Sequence, residues 1–280
     1  MAMPRLLQTG DETMRVTIAD SGFINNQKSM CMGSENCDVS PSYFEWERAD
    51  PKDARFVTES CMRDAVGKGQ VAWLQETFFM HPENYTYLLD KKFDYVLTHN
   101  RYFADNNENW LWCPHGGSWI RLEDWKIYEK TKMVSMLVTP KKMVYAHRLR
   151  HEIKELLGDK VDIYGYSNYS DKRDMLIPYR FHIIVLEACE GFFNEQIIDC
   201  MATGTIPIIR KQPDIRRYFE YGVIRFEDKK HLEGIVDNLI SEELYLKMLP
   251  YSKINIETAK MYRSSEDYAY EHYPFLFEVN

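Results

Sequence analysis

The sequence predicts the α/β class, organised as two halves that face each other across a cleft. Two observations carry that expectation. Short apolar runs alternate with helix-period segments almost throughout, the signature of βαβ units around a mostly parallel sheet. The chain has 280 residues, which at about 150 residues per domain makes roughly two domains. The charged segment Arg121–Lys132 (RLEDWKIYEKTK) reads as the linker, dividing the chain into 1–125 and 126–280.

In the first half, strands are expected at Met14–Ala19, Val71–Leu74 and Tyr95–Thr98, a helix at Glu83–Asp90, and an irregular stretch from Asn25 to Asp53. The second half is patterned more clearly. Met133–Val138 reads as a strand, followed by a helix whose Leu149, Ile153, Leu156 and Leu157 share one face and which Gly158 terminates. Val161–Tyr164 and Phe181–Leu186 are the next strands. The helix Glu195–Ala202 follows, with Asn194 as its N-cap and Gly204 as its stop, and then the strand Thr205–Ile209. From Lys229 onward the text is helical, with a helix covering Glu242–Leu249 or beyond.

Composition bounds the function. With 45% apolar and 28% charged residues the chain is neither disordered nor coiled-coil. A net charge of −8 weighs against a general nucleic-acid or membrane-surface binder, so an anionic ligand must meet a local basic pocket. The cysteines (Cys31, Cys37, Cys61, Cys113, Cys189, Cys200) form no CxxC pair, which makes reduced thiols the default. Neither a signal peptide nor a membrane span is visible, and a cytoplasmic location is expected; the sequons at Asn84 and Asn168 would matter only in a secretory lumen. No GxGxxG follows a predicted strand, which counts against a dehydrogenase.

The most informative stretch is Tyr179–Ile209, which sets a buried strand, an acidic turn, a capped helix and a second strand in succession. In open parallel sheets, ligands sit beyond the carboxyl ends of the strands, where helix N-termini offer free N–H groups. A diphosphate at the Asn194–Gln196 helix start would meet such groups, with Arg180 and Arg148 adding charge and Glu195 holding a ribose. The competing explanation of Glu195 is that an acidic first-turn residue stabilises a helix with no ligand at all.

This stretch resembles the donor-binding motif of the α1,3-fucosyltransferases, in which a YKFxxxFEN strand precedes a TEK helix start and an AGxxPI strand. The corresponding words here are Tyr179-Arg180-Phe181, Leu186-Glu187-Ala188, Asn194-Glu195-Gln196 and Thr203-Gly204-Thr205-Ile206-Pro207-Ile208. Val161-Asp162-Ile163-Tyr164-Gly165 is similar to the family's VDxYG, and Ala146-His147-Arg148 to its arginine-bearing helix start. Upstream, Leu74-Gln75-Glu76 resembles the ESP-containing strand end, Phe93–Thr98 the FxxTLTY strand, and Pro114-His115-Gly116-Gly117 the VPYG turn. Exostosin-type glycosyltransferases are similar more distantly, and the chain also resembles the chlorovirus-type xylosyltransferases. The departures are Gln196 in place of a phosphate-contacting lysine, Arg180 in place of the strand's lysine, and Ala188 in place of an asparagine.

The resemblance implies a GT-B architecture of two Rossmann-like domains and an inverting transfer from a nucleotide-sugar donor to an oligosaccharide acceptor. The first domain would take the acceptor and the second the nucleotide, with a C-terminal helix packing back on the first. UDP-xylose is the favoured donor and GDP-fucose the second. Donor-binding residues would be Arg148, Arg180, Tyr164, Glu187, Asn194, Glu195, Gln196, His115, Gly116 and Gly117. Glu76 would be the base, with Asp20 as runner-up. Inversion needs a group that takes the acceptor's proton and positive charge for the departing diphosphate. No Asp-x-Asp triplet is present and Glu45-Trp46-Glu47 lacks metal-ligand context, so arginines in place of a metal are expected, with no cofactor. Tyr43, Phe44, Trp46, Phe78, Phe79 and Tyr85 could stack on acceptor sugars or form core. The competing expectation is a non-catalytic carbohydrate- or nucleotide-binding module of the same fold.

Overall fold

The computed structural model describes residues 13–20, 28–30, 40–165 and 171–278. Cys31, Cys37 and the Asn168 sequon lie outside them; the other four cysteines are free thiols.

Two all-parallel sheets form the frame. The first contains β1 (Arg15–Ala19), β2 (Glu45–Arg48), β3 (Phe56–Thr58), β4 (Val71–Leu74), β5 (Tyr95–Thr98) and β6 (Trp110–Trp112), in the order β2-β1-β3-β4-β5-β6. The second contains β7 (Lys132–Leu137), β8 (Asp162–Tyr164), β9 (Tyr179–Ile184), β10 (Ile206–Arg210) and β11 (Ile224–Phe226), in the order β11-β10-β9-β7-β8. Both sheets follow one winding rule: the second strand pairs on one side of the first, and the rest grow from its other side.

Helices cover both faces, which is why the central strands read as continuous apolar runs. On one face of the second sheet, α3 (Tyr145–Leu157) and α5 (Lys229–Asn238) bury Leu149, Ile153, Leu232 and Ile235 against Val134, Phe181 and Ile208. On the other face, α4 (Glu195–Thr203) packs Ile197, Ile198 and Met201 with Ile184 and Ile209. That second cluster also takes in Trp112, Ile120 and Trp125, so the lobes share apolar packing. In the first lobe, α1 (Pro82–Asp90) lies near β3 and β4, and α2 (Arg101–Asn106) follows β5.

The last described residues return to the first sheet. From α6 (Glu242–Lys260) the chain passes to α7 (Ser265–His272), whose Ala269 joins the core of Val16, Phe56 and Trp73. Glu266, fully buried, accepts from the Met30 amide at 2.9 Å and from Trp46 Nε1 at 2.6 Å.

Several boundaries differ from the sequence reading. The expected irregular stretch 25–53 contains β2, and the expected strand 181–186 starts two residues earlier, at Tyr179. The short strands β3, β6 and β11 carry only three residues each, too few for a period-2 signal.

Candidate functional site

In the second sheet the chain leaves β7 on one side for β8 and returns on the other for β9, so the switch point lies between β7 and β9. The start of α3 stands over it. Its Ala146 amide donates to Glu187 Oε1 at 2.6 Å, fixing Glu187 at this edge. Arg148, exposed in the first turn of α3, donates to the carbonyls of Lys142 and Met143 at 3.2 and 3.3 Å. Arg210, the last residue of β10, lays its guanidinium 4.8 Å from the Tyr145 ring centre, with Nη1 3.4 Å from the Leu186 carbonyl. Neither arginine forms an ion pair among the described residues. His147 is pushed down to about 4, first by burial and then by the positive charges of Arg150, Lys141 and Arg148. In a chain of net charge −8, this edge concentrates positive potential.

The start of α4 is built differently from the expectation. Asn194 is its N-cap, accepting from the Gln196 amide at 3.2 Å, and Gly204 ends it in the left-handed region. Glu195, however, is buried beneath the helix, 3.6 Å from Lys172 Nζ, instead of facing a ribose. Gln196 lines a cavity of about 10 Å³, room for one water, together with Lys172, His182 and Asp199. The local cation is thus committed inside the lobe, and among the described residues the helix start offers no free charge to a phosphate.

Arg180 also departs from its expected place. As the second residue of β9 it lies at the amino end, ion-paired with Glu242 at 2.7 Å. At about 3.3 Å per residue, the seven steps to Glu187 span about 23 Å, far beyond the reach of one side chain. Tyr164 ends β8, but its hydroxyl meets that of Tyr179, the first residue of β9, at 2.9 Å. His182, expected as a satisfied core residue, is buried with Nδ1 2.8 Å from Ser135 Oγ.

The first sheet's carboxyl edge is acidic. Asp20 follows β1 and accepts from Thr58 Oγ1 at 2.6 Å. Glu76, two residues beyond β4, is half-buried, and its amide donates to Glu59 Oε1 at 3.0 Å. The Gln75 amide donates to the same oxygen at 2.6 Å, and the Asn84 side chain donates to the other. Glu59 has φ +45°, the one non-glycine residue with positive φ among the described residues. Burial pushes its carboxyl above the usual range, opposed by the two amides and reinforced by the Glu76 charge. The sequence contains no signal for this residue, because left-handed backbone is anticipated at Gly or Asn.

The two edges meet. The Arg101 amide, just past β5, donates to the Glu190 carbonyl at 2.9 Å, and the His99 and Phe192 ring centres are 4.7 Å apart. His115 is buried beside them, its ring 5.9 Å from that of Phe192. Burial pushes His99 down to about 3, with His115 adding to the shift. Gly116 and Gly117 pack on the segment between α6 and α7: at φ +69° a Cβ on Gly116 would lie 2.7 Å from the Ser265 amide nitrogen, and Gly117 donates to the Arg263 carbonyl at 2.8 Å. Their close approach is to the chain's own C-terminal segment.

Of the aromatic candidates, Phe44 and Tyr85 are buried, Trp46 packs on the first core, and Tyr43 stacks on Tyr270 with ring centres 4.7 Å apart. Phe78 and Phe79 remain exposed, two and three residues after Glu76. Among the described residues, no helix is long and apolar enough to cross a membrane.

Two parallel Rossmann-like sheets joined at their carboxyl edges are the GT-B fold, and the solved structures similar to this chain are of that kind. An α1,3-fucosyltransferase matches with a TM-score of 0.57 at 13% identity, over 94% of this chain and 93% of that one. The same kind of enzyme with GDP-fucose matches at 0.55 and 13%, over 89% and 84%. HepE from Anabaena, in complex with UDP-glucose, matches at 0.58 and 9%, over 94% and 100%. No family model and no curated protein sequence matches the chain.

Proposed function

We propose that the protein is an inverting, metal-independent glycosyltransferase that moves one sugar from a nucleotide-sugar to a hydroxyl of an oligosaccharide. One observation carries this reading: in a GT-B fold, an edge with an arginine that has no ion pair among the described residues faces an edge with two carboxylates. The diphosphate lies at the switch point by Arg148 and the start of α3. Glu187, held by the Ala146 amide, is positioned for the ribose hydroxyls. Glu76 takes the proton of the acceptor hydroxyl as its oxygen attacks the anomeric carbon. The bond from that carbon to the β-phosphate oxygen breaks, and the nucleoside diphosphate leaves with the bonding electrons, its new charge met by guanidinium. Phe78 and Phe79 offer the acceptor apolar ring faces beside the base. UDP-xylose is the first donor to test and GDP-fucose the second, on the strength of the sequence resemblance.

Calorimetric titration with UDP, GDP and their sugars, followed by nucleotide release in the presence of glycan acceptors, tests the reading. Binding of one nucleotide family and acceptor-dependent, EDTA-resistant release are expected. Failure to bind either nucleotide would refute it. Binding without release would favour a non-catalytic module, the reading supported by the neutral Gln196 and the inward Glu195.

A further inference from the structure

We propose that Arg210 is the second diphosphate-binding cation of the cleft, acting with Arg148 across the end of β9. The inference rests on the glycosyltransferase reading and adds to it a residue that the sequence did not single out. A nucleoside diphosphate presents two phosphoryl groups, and one exposed guanidinium neutralises only part of their charge. The start of α4 cannot supply the rest, because Lys172 is engaged by Glu195 at 3.6 Å and by Asp199 at 3.9 Å. Arg180 is equally unavailable, paired with Glu242 at the sheet's other end.

Arg210 differs from both. It ends β10 at the carboxyl edge, and its guanidinium crosses the end of β9 to lie over Tyr145, the first residue of α3. Of five N–H donors it spends one among the described residues, at 3.4 Å, on the Leu186 carbonyl. No carboxylate lies within ion-pair distance of it among the described residues. Stacking on an aromatic face fixes the plane of a guanidinium while leaving its in-plane N–H groups free for a planar or bidentate oxyanion. His147, two residues beyond Tyr145, is pushed down first by burial and then by the neighbouring charges of Arg150, Lys141 and Arg148, so this end of α3 already carries positive charge. Were Arg210 only a clasp between strand and helix, a carboxylate or a second carbonyl would be expected to take up its remaining donors.

The test uses the full chain, with UDP and GDP as diphosphate probes and uridine and guanosine as phosphate-free controls. Arg210→Met keeps an apolar stem over Tyr145 and removes the charge; Arg210→Lys keeps the charge and loses the fork. Affinity for the bound diphosphate should fall roughly tenfold to a hundredfold in Arg210→Met and less in Arg210→Lys, with nucleoside affinity unchanged in both. Unfolding midpoints of both variants should stay near that of the wild type. Undiminished diphosphate affinity in Arg210→Met, or equal losses for diphosphate and nucleoside, would overturn the assignment while leaving the transferase reading intact. A wild-type protein that binds neither UDP nor GDP would overturn both.

Discussion

Glu59 holds the backbone of Glu76: the Glu76 amide donates to Glu59 Oε1 at 3.0 Å, alongside the Gln75 amide at 2.6 Å. The proposed base is therefore fixed by its own main chain, through a residue whose φ of +45° costs about 1–3 kcal/mol. A strained backbone at the end of a strand persists only when its surroundings over-determine it, and three donors converging on one carboxylate do so here.

Replacing Glu59 separates strain from bonding. Glu59→Gly relieves the strain but leaves two amides and the Asn84 side chain without their acceptor, at about 1–3 kcal/mol for each buried group. A net loss of about 2 kcal/mol or more in denaturant unfolding is expected. Glu59→Gln, which retains an acceptor oxygen, should lose less. A Gly variant more stable than the wild type would show that the carboxylate's hydrogen bonds do not hold this turn.

Glu76→Gln keeps the shape and the amide contact while removing the proton acceptor. Turnover should fall by roughly 10²–10⁴, the usual contribution of a general base, with donor affinity within about twofold of the wild type. Asp20→Asn is the comparison. If Asp20→Asn abolishes turnover and Glu76→Gln does not, the base is the carboxylate held by Thr58 at 2.6 Å.

The contrast between Arg180 and Arg210 shows which part of the site was legible in the sequence. Local signals survived: Asn194 and Gly204 bound α4, and Gly158 ends α3, because capping depends on the nearest few residues. What motif spacing left open was which end of the strand a side chain occupies. Arg180 belongs to the motif yet sits at the amino end, whereas Arg210 ends a neighbouring strand and reaches the switch point through sheet order alone. Glu195 departs from its sequence expectation for a related reason. A first-turn position does not say whether the side chain turns outward to a ligand or inward to Lys172, and Lys172 lies 23 residues earlier in sequence. Glu59 gave no sequence signal, since its conformation is imposed by contacts with β4 and α1.

The junction of the lobes depends on Gly191. At φ +79°, a Cβ there would lie 2.7 Å from Trp112 Nε1 and 3.0 Å from the His99 carbonyl oxygen. Gly191→Ala should destabilise by about 2 kcal/mol or more, combining backbone strain with a contact that must open. Gly69→Ala is the control, because Gly69 has a similar φ of +80° and, among the described residues, no atom within 4 Å of a Cβ. It should lose only about 1 kcal/mol from the backbone. Equal losses in the two variants would mean that the Glu190–Phe193 turn is not packed tightly against the first lobe.

Asp199 sets a pH dependence of stability. Burial pushes its carboxyl up to about 7, against the pull of Lys172, although Oδ1 accepts from Ser118 Oγ and from the Trp119 amide, both at 2.8 Å. Oδ2 has no hydrogen-bond partner among the described residues, and Lys172 Nζ is 3.9 Å away. Between about pH 4 and pH 7 the folded chain retains a proton that the unfolded chain has released, so stability falls as pH rises through this window and is level above it. At about 1.4 kcal/mol per unit, the whole effect is on the order of 4 kcal/mol. Asp199→Asn keeps an acceptor for Ser118 and Trp119 and never ionises. Urea unfolding at pH 5 and pH 8 should therefore show a smaller decline for the variant, and greater stability than the wild type at pH 8. Parallel declines would mean that Asp199 is ionised across the window, with Lys172 offsetting its burial in full.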